Sequence, residues 1–469
     1  MNKYLKLAIC AALPIAVAAG CNSFLTGTDV TKNPNNPTIG SATNGQLFMS
    51  VQVNNWQYEE GDLARLVGMW MQQVRGVARQ ALGIYGQYTS VNEGTYDAEF
   101  QRPYVGGGLT DIRTLESGAR AAGDSVFLGV AEILEAWMIG VTADIWGDIP
   151  YTQANQPTTF PTPKLDSQAV VYDSVQSLLS QAITHLSQAG AGPGDLDFVY
   201  NGDPTAWTAL AHTLKARYYL HTAEKLGAPS YASALTEAQQ GIQSNTGDYT
   251  AFHSGNKVFE SNDWFQFMDP NGGTGRAGDI IGALPPPAPQ APMYLLMNAA
   301  ADPRTLTYYD PTNSATGMNS DRLSPTFSQP FVTYNENLLI MAEAQYQAGN
   351  AGTALATLNQ ERAAWAASWT PPCGGCAPWH NPISLAPVNA AGAAILTAIM
   401  TEKYFTLFQN IEVWNDYKRT CVPALTPTGG AAAIPGRLYY GVTERQTNPN
   451  IPAVGAQPAR NWNDPNPCT

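Results

Sequence analysis

Residues 338–365, "LLIMAEAQYQAGNAGTALATLNQERAAW", limit what this chain can fold into more than any other stretch. Two helix-forming runs flank a Gly-Asn-Ala-Gly turn. Ala342, Ala344, Ala354 and Ala356 are small, so two helices joined by so short a link can pack closely as a pair. Other segments repeat the pattern. Residues 168–187 place Val171, Val175, Leu178, Leu179, Ala182 and Leu186 on one helical face. Residues 205–226 follow Asp203-Pro204, an N-cap with proline at the first helical position. Residues 43–82, 115–146, 231–242, 332–348, 351–367 and 393–408 also read as helical.

The spaces between these helices differ in kind. Residues 83–108 are rich in Gly and Tyr and hold no period. Residues 246–332 are dense in Gly, Pro, Asn and Asp, with Pro285-Pro286-Pro287 at their middle, and so long a connection carries function or short strands of its own. Residues 368–391 form a Cys- and Pro-rich loop, and the tail is irregular. The expected fold is mainly α: a tetratricopeptide-like scaffold of helical hairpins with a loop-rich lobe inserted at about 246–332, in one domain spanning 43–469.

The N-terminus sets the compartment. Lys3 and Lys6 precede an apolar run at residues 7–19, too short to span a bilayer. This reads as a secretory signal over residues 1–20. Ala18-Ala19-Gly20-Cys21 resembles a bacterial lipobox, in which Cys21 becomes the lipidated first residue. Residues 21–42, with "TKNPNNPTIG", read as a lipidated tether. With Cys10 in the signal and Cys21 lipidated, Cys373, Cys376, Cys421 and Cys468 remain, an even number in an exported chain. Disulfides are expected, with three connectivities open. The pairing taken forward is Cys373–Cys376 with Cys421–Cys468. The alternatives for Cys373 and Cys376 are half of a zinc site or a redox pair, but no second C-x-x-C and no H-x₃₋₅-H accompanies them, so a loop staple is the expectation.

The formal net charge is −13, before the two lysines of the signal are removed, which argues against nucleic acid. Charged residues make up only 13% and aromatics reach 10%, a balance suited to neutral, hydroxyl-rich or peptide-like ligands. No catalytic, metal or cofactor motif is present. The five histidines are scattered, and Asp144 with Asp148 and Glu412 with Asp416 read as helix-face carboxylates rather than catalytic pairs. Aromatics in the two loop segments are the candidate binding residues: Tyr85 and Tyr88 in the first, Trp264, Phe265 and Phe267 in the second. Their flat apolar faces suit sugar C–H faces and peptide side chains. The two segments are expected to converge, with Trp264 and Tyr85 or Tyr88 lining the site.

Several stretches together resemble the SusD/RagB family, in its SusD-like branch. They are "CNSFLTGTDVTKNPNNPT", "AEILEAWMIGVTADIWGDIPYTQA", "TAWTALAHTLKARYYLHTA", "TYNENLLIMAEAQYQAGN", "IMTEKYFTLFQNIEVWNDYKRTCVPAL" and "IPGRLYYGVTERQTNPN". Cys421 stands where that family commonly has glycine, and no acidic run follows Cys21. The resemblance implies a nutrient-binding lipoprotein of the outer membrane, facing outward. It would capture glycan or peptide and deliver it to a SusC-like TonB-dependent transporter, with no catalysis and no cofactor. Two other classes stay open: a surface glycan-degrading enzyme, and a helical-repeat interaction protein without a small ligand. Glu412, Trp414, Asp416, Lys418 and Arg419 are expected to brace the C-terminal segment, with Arg437 and Glu444 as ion partners.

Overall fold

The computed structural model describes residues 42–468 apart from 89, 257–259, 269–277, 289, 370–382 and 466. The expected signal, Cys21 and the tether up to residue 41, and the Cys373/Cys376 pair lie outside the described residues. The chain enters at Thr43, whose hydroxyl accepts the Gln46 N–H while the Gln46 side chain accepts the Thr43 N–H. This capping box satisfies two donors that a helix start leaves orphaned, and it opens α1 (Asn44–Glu60).

After α1 come α2 (Asp62–Trp70), β1 (Arg75–Gly76), α3 (Arg79–Gln87), α4 (Leu109–Ala122) and α5 (Ser125–Trp146). The expected helix over 43–82 is therefore broken at Gly61 and again by a strand. The expected loop at 83–108 begins inside α3 and holds a short helix, Asp97–Gln101. Gly123, at φ +69°, separates α4 from α5. α5 is apolar over most of its surface and long enough to cross a bilayer, yet Val126 to Trp146 are all buried, its charges Glu132, Glu135 and Asp144 included, as in the central helix of a folded body. Its two glycines are notches. A Cβ at Gly140 would stand 2.3 Å from the Tyr218 ring, and one at Gly129 would stand 2.9 Å from the Ala182 carbonyl.

The helices that follow continue the stack. α6 (Gln168–Leu186) is capped by Ser167, and α7 (Pro204–His221) by Asp203. Then come α8 (Ala228–Ala238), α9 (Tyr334–Gln347), α10 (Ala351–Ser368), α11 (Ala393–Thr406) and α12 (Glu412–Thr420). α4 packs on α5, α5 on α6, α6 on α7, α7 on α8, α8 on α9, and α9 on both α10 and α11. The mainly α hairpin scaffold is as expected.

The lobe is closed at its base. Between β1 and the lobe lies one further ladder, β2 (Ile149–Pro150) with β3 (Leu165–Asp166). β4 (Tyr249–Thr250), where the chain leaves the scaffold, pairs antiparallel with the returning strand Pro330–Val332. Within the lobe, Ile280–Ile281 pairs with β1. Short helices at Asp263–Met268, Pro292–Ala299 and Thr305–Tyr308 fill it.

At the C-terminus, Cys421 caps α12 in the left-handed region (φ +56°) and is bonded to Cys468. The Arg437 and Glu444 expectation is corrected. Arg437 donates instead to the carbonyls of Trp146 and Pro458, and Glu444 accepts from Asn448. The α12 charges pair with the scaffold: Lys403 lies 2.8 Å from Glu343 and 2.9 Å from Asp416, and Arg419 bonds both carboxylates. Trp414 does brace the tail, donating to the Pro435 carbonyl.

Candidate functional site

The two aromatic loop segments do meet. Ile84, Thr95 and Tyr96 share a small cleft with Phe267 and Ile280, and just before the first segment β1 pairs with the lobe and Arg79 with Asp279. The expected aromatic residues, however, mostly fill the seam rather than face solvent. Trp264 is fully buried. Asn262 starts its helix by accepting the N–H groups of Trp264 and Phe265, and the indole lies 3.3 Å from where a Cβ at Gly68 would stand. Phe265 is buried too, and Phe267 is half-buried under the Arg65 guanidinium at 4.6 Å. Tyr88 is buried, packs edge-on against Trp70 and accepts the Thr428 N–H. Tyr85 is buried against Arg75, its edge reaching a shallow depression between residues 72–86 and 426–429. A chain with few charges builds its seams from aromatics, and periodicity does not separate those from exposed platforms.

Exposed aromatic area lies elsewhere, in a groove of about 570 Å³ on the outer face of α1. Met49, Val53, Trp56, Gln57 and Glu60 form one wall, spaced as a single helical face. The facing wall carries Phe198, Phe252, His253, Ser254, Glu260, Ser261, Asp263 and Gln266. Phe198 is 46% and Phe252 52% exposed, yet their rings stack at 5.6 Å and 27°. Trp56 continues the row at 6.3 Å from Phe198, and its indole N–H donates to the Tyr249 hydroxyl.

The groove is held from below. Asp197 accepts from Gln52, from the Trp207 indole and from the backbone N–H groups of Val199, Tyr200 and Gly202. This fixes the loop that presents Phe198. Phe252 follows β4, so the base ladder of the lobe presents the second ring. His253 bonds Glu60 at 3.0 Å. Burial pushes the carboxyls of Glu60 and Asp263 up, with His253 pulling Glu60 back down. The sequence reading missed Trp56 and Phe198. It missed Phe252 as well, although that residue lies within the lobe it flagged. The available signal was an aromatic set among Asp, Ser and Gly in a loop, as in "DLDFVYNGD" and "TAFHSG".

A second cluster joins Asp144, His221 and Glu412, with ligand atoms within 4.8 Å of one another, all buried. His221 Nδ1 lies 2.8 Å from Asp144 and Nε2 lies 2.7 Å from Glu412. Burial lowers the imidazole pKa, but the two carboxylates overcome it and raise it to about 9. Burial also opposes ionisation of Glu412, whose carboxyl the charges of His221 and Arg217 hold at about 2. Both ring nitrogens lie at hydrogen-bond distance from a carboxylate, the arrangement that holds an imidazolium between two acceptors. Arg217, fully buried, forks onto Glu336 at 2.6 and 2.7 Å. The cluster bolts α5, α7, α9 and α12 together and has no opening for a substrate.

Comparison with known proteins agrees with this architecture. A SusD-like family, described as starch-binding associating with outer membrane, matches residues 34–441. No curated protein matches the chain. A solved chitin-binding protein superposes with TM-score 0.72 at 23% identity, covering 91% of this chain and 100% of its own. A SusD/RagB family protein from Bacteroides thetaiotaomicron gives 0.68 at 17%, covering 91% and 99%. A chitin-binding SusD homologue from Flavobacterium johnsoniae gives 0.64 at 18%, covering 90% and 97%. With the family profile spanning most of its length and the hairpin scaffold superposing on solved members, this chain belongs to the SusD-like family.

Proposed function

We propose that this protein captures glycans at the outer-membrane surface, in the groove between α1 and the lobe. It then hands them to a SusC-like TonB-dependent transporter. The observation that carries this reading is the stacked, half-exposed Phe198–Phe252 pair, one ring on the loop fixed by Asp197 and the other just after β4. Rigid aromatic faces held by a scaffold give contact area to sugar rings at little entropic cost. The family description and the two chitin-binding structural neighbours support a glycan over a peptide. Lipidation at Cys21 would keep the protein at the membrane and the transporter within reach.

The protein acts here as a binder, not a catalyst. The test is calorimetric titration of a neutral glycan panel and of peptide mixtures, with reducing-end release followed alongside. Binding without turnover is expected. Phe252→Ala should weaken the best glycan about thirtyfold, since loss of a hot-spot aromatic costs ~2 kcal/mol. Its melting temperature should stay near that of the wild type. New reducing ends would make the protein an enzyme, and peptide binding without glycan binding would reverse the ligand class.

A further inference from the structure

The lining of the groove discriminates among glycans. We infer that it takes an oligomer of N-acetylated amino sugar, with acetamido methyl groups against Phe198, Phe252, Val53 and Met49 and amide N–H groups toward the carboxylates of Glu260 and Asp263. This rests on the reading of the groove as the glycan site.

The apolar part is the first reason. Four neighbouring side chains are substantially exposed: Met49, Val53, Phe198 and Phe252. None of them carries a hydrogen-bonding tip. Stacking the C–H face of a hexose uses the two rings, but beyond that face a plain glucan presents mainly hydroxyls at its equatorial edge, where valine and methionine stand. Burying a hydroxyl there without a partner is unfavourable, whereas a methyl gains from it. The acetamido group supplies that methyl on every unit.

Charge is the second reason. Glu60, Glu260 and Asp263 line the groove, and among the described residues no lysine or arginine does. Arg102 reaches Gln57, but it is paired with Glu99. Sugars bearing carboxylate or sulfate would meet like charge. Glu60 is engaged by His253, whereas Glu260 is exposed and keeps acceptor capacity beyond its bond from Ser254. An amide N–H donating to a carboxylate is a charge-assisted hydrogen bond, stronger than one between neutral groups.

Extent is the third. The lining follows α1 from Met49 to Glu60, about 16 Å at 1.5 Å per residue. That length, with a volume of about 570 Å³, suits several linked sugars rather than one.

The experiment titrates the mature chain with hexamers of N-acetylglucosamine, of glucosamine, and of glucose in α- and β-linkage. The acetylated hexamer should bind at least tenfold tighter than the other three. Phe252→Ala and Val53→Ser should each lower its affinity at least fivefold, with unchanged melting temperatures. Equal or tighter binding of a glucose hexamer overturns the amino-sugar inference and leaves the glycan reading standing. Tighter binding of the glucosamine hexamer overturns it as well, because charge and not the apolar patch would then decide. Acetylated binding unaffected by both substitutions overturns the placement in this groove. If no hexamer binds, the glycan reading itself falls.

Discussion

At the scale of single residues, two aromatics of the lobe stand only twelve positions apart in the sequence and take opposite roles. Trp264 is fully buried against α2, and Phe252 is 52% exposed over the groove. Trp264→Ala is expected to cost ~3–5 kcal/mol of stability, the range for large aromatics removed from cores. Thermal melts of the two variants separate the roles: Trp264→Ala should melt far lower, and Phe252→Ala should not. Titration of His221 gives a second prediction. Its folded pKa near 9 lies above the unfolded value of about 6.5, so its contribution is fully present below pH 6.5 and fades as pH rises through 9. Burial raises Glu59 to about 8, which acts in the same direction between about pH 4.5 and 8. Glu412, held near 2, acts oppositely and loses its contribution only as pH falls from about 4.5 toward 2. The urea midpoint should therefore decline from pH 6.5 to 9.5, by an amount on the order of 3 kcal/mol in stability for His221 alone. His221→Gln should be less stable at pH 6 and lose part of that slope. A wild-type midpoint that holds level over this interval would show that the imidazole is not ionised in the fold.

At the scale of elements, α12 and its bridge to the tail hold the C-terminus. Cys421–Cys468 closes a separation of 47 residues, and removing such a crosslink costs about 2–4 kcal/mol. The Cys421→Ser/Cys468→Ser double variant should lose stability in that range while staying folded. Asn461 still donates to the Asp144 carbonyl, and Asn463 to that of His221. Non-reducing peptide maps should recover the Cys421–Cys468 peptide, and the same maps test the pairing of Cys373 with Cys376. What the sequence made legible follows from which force builds each element. α6 bears an apolar stripe, and its span was readable almost to the residue. The same holds for α9 and α10, whose small residues and Gly-Asn turn mark a hairpin. For α12 the carboxylates of one helix face were legible but their burial was not, because Glu412, Asp416 and Lys418 are charges that hydropathy assigns to solvent. They are buried because distant segments supply their partners: His221 for Glu412, Lys403 for Asp416, and the Asp144 carbonyl for Lys418. The groove was illegible for a related reason. Val53 and Trp56 look alike as apolar residues of one helix, and only the positions of the lobe and of the Asp197 loop decide which part of that helix stays open.

At the scale of the whole molecule, anchor and groove are expected to be separable. The described body begins at residue 42, with α1 running straight into the groove wall. From Cys21 to Thr43 the chain spans at most about 75 Å when fully extended. The body itself has a radius of gyration of roughly 22 Å by the usual scaling. With Cys21 as the proposed anchor, a link of that reach would let the groove face the medium and still meet a transporter beside it. It also means that no groove residue depends on the lipid for its position, because the Thr43 capping box and the Asp197 hub fix α1 and Phe198 internally. The Cys21→Ser protein should therefore leave the outer-membrane fraction and bind the same glycan in solution with an affinity within about twofold of the anchored form. Cells carrying it should lose most glycan uptake at low external concentration and recover it at high concentration, where capture no longer limits transport. Fractionation, calorimetry and uptake on the same strain give three independent readings. Retention of the variant in the membrane would remove Cys21 as the anchor. Loss of binding in solution would tie the groove to the tether and break the separation argued here.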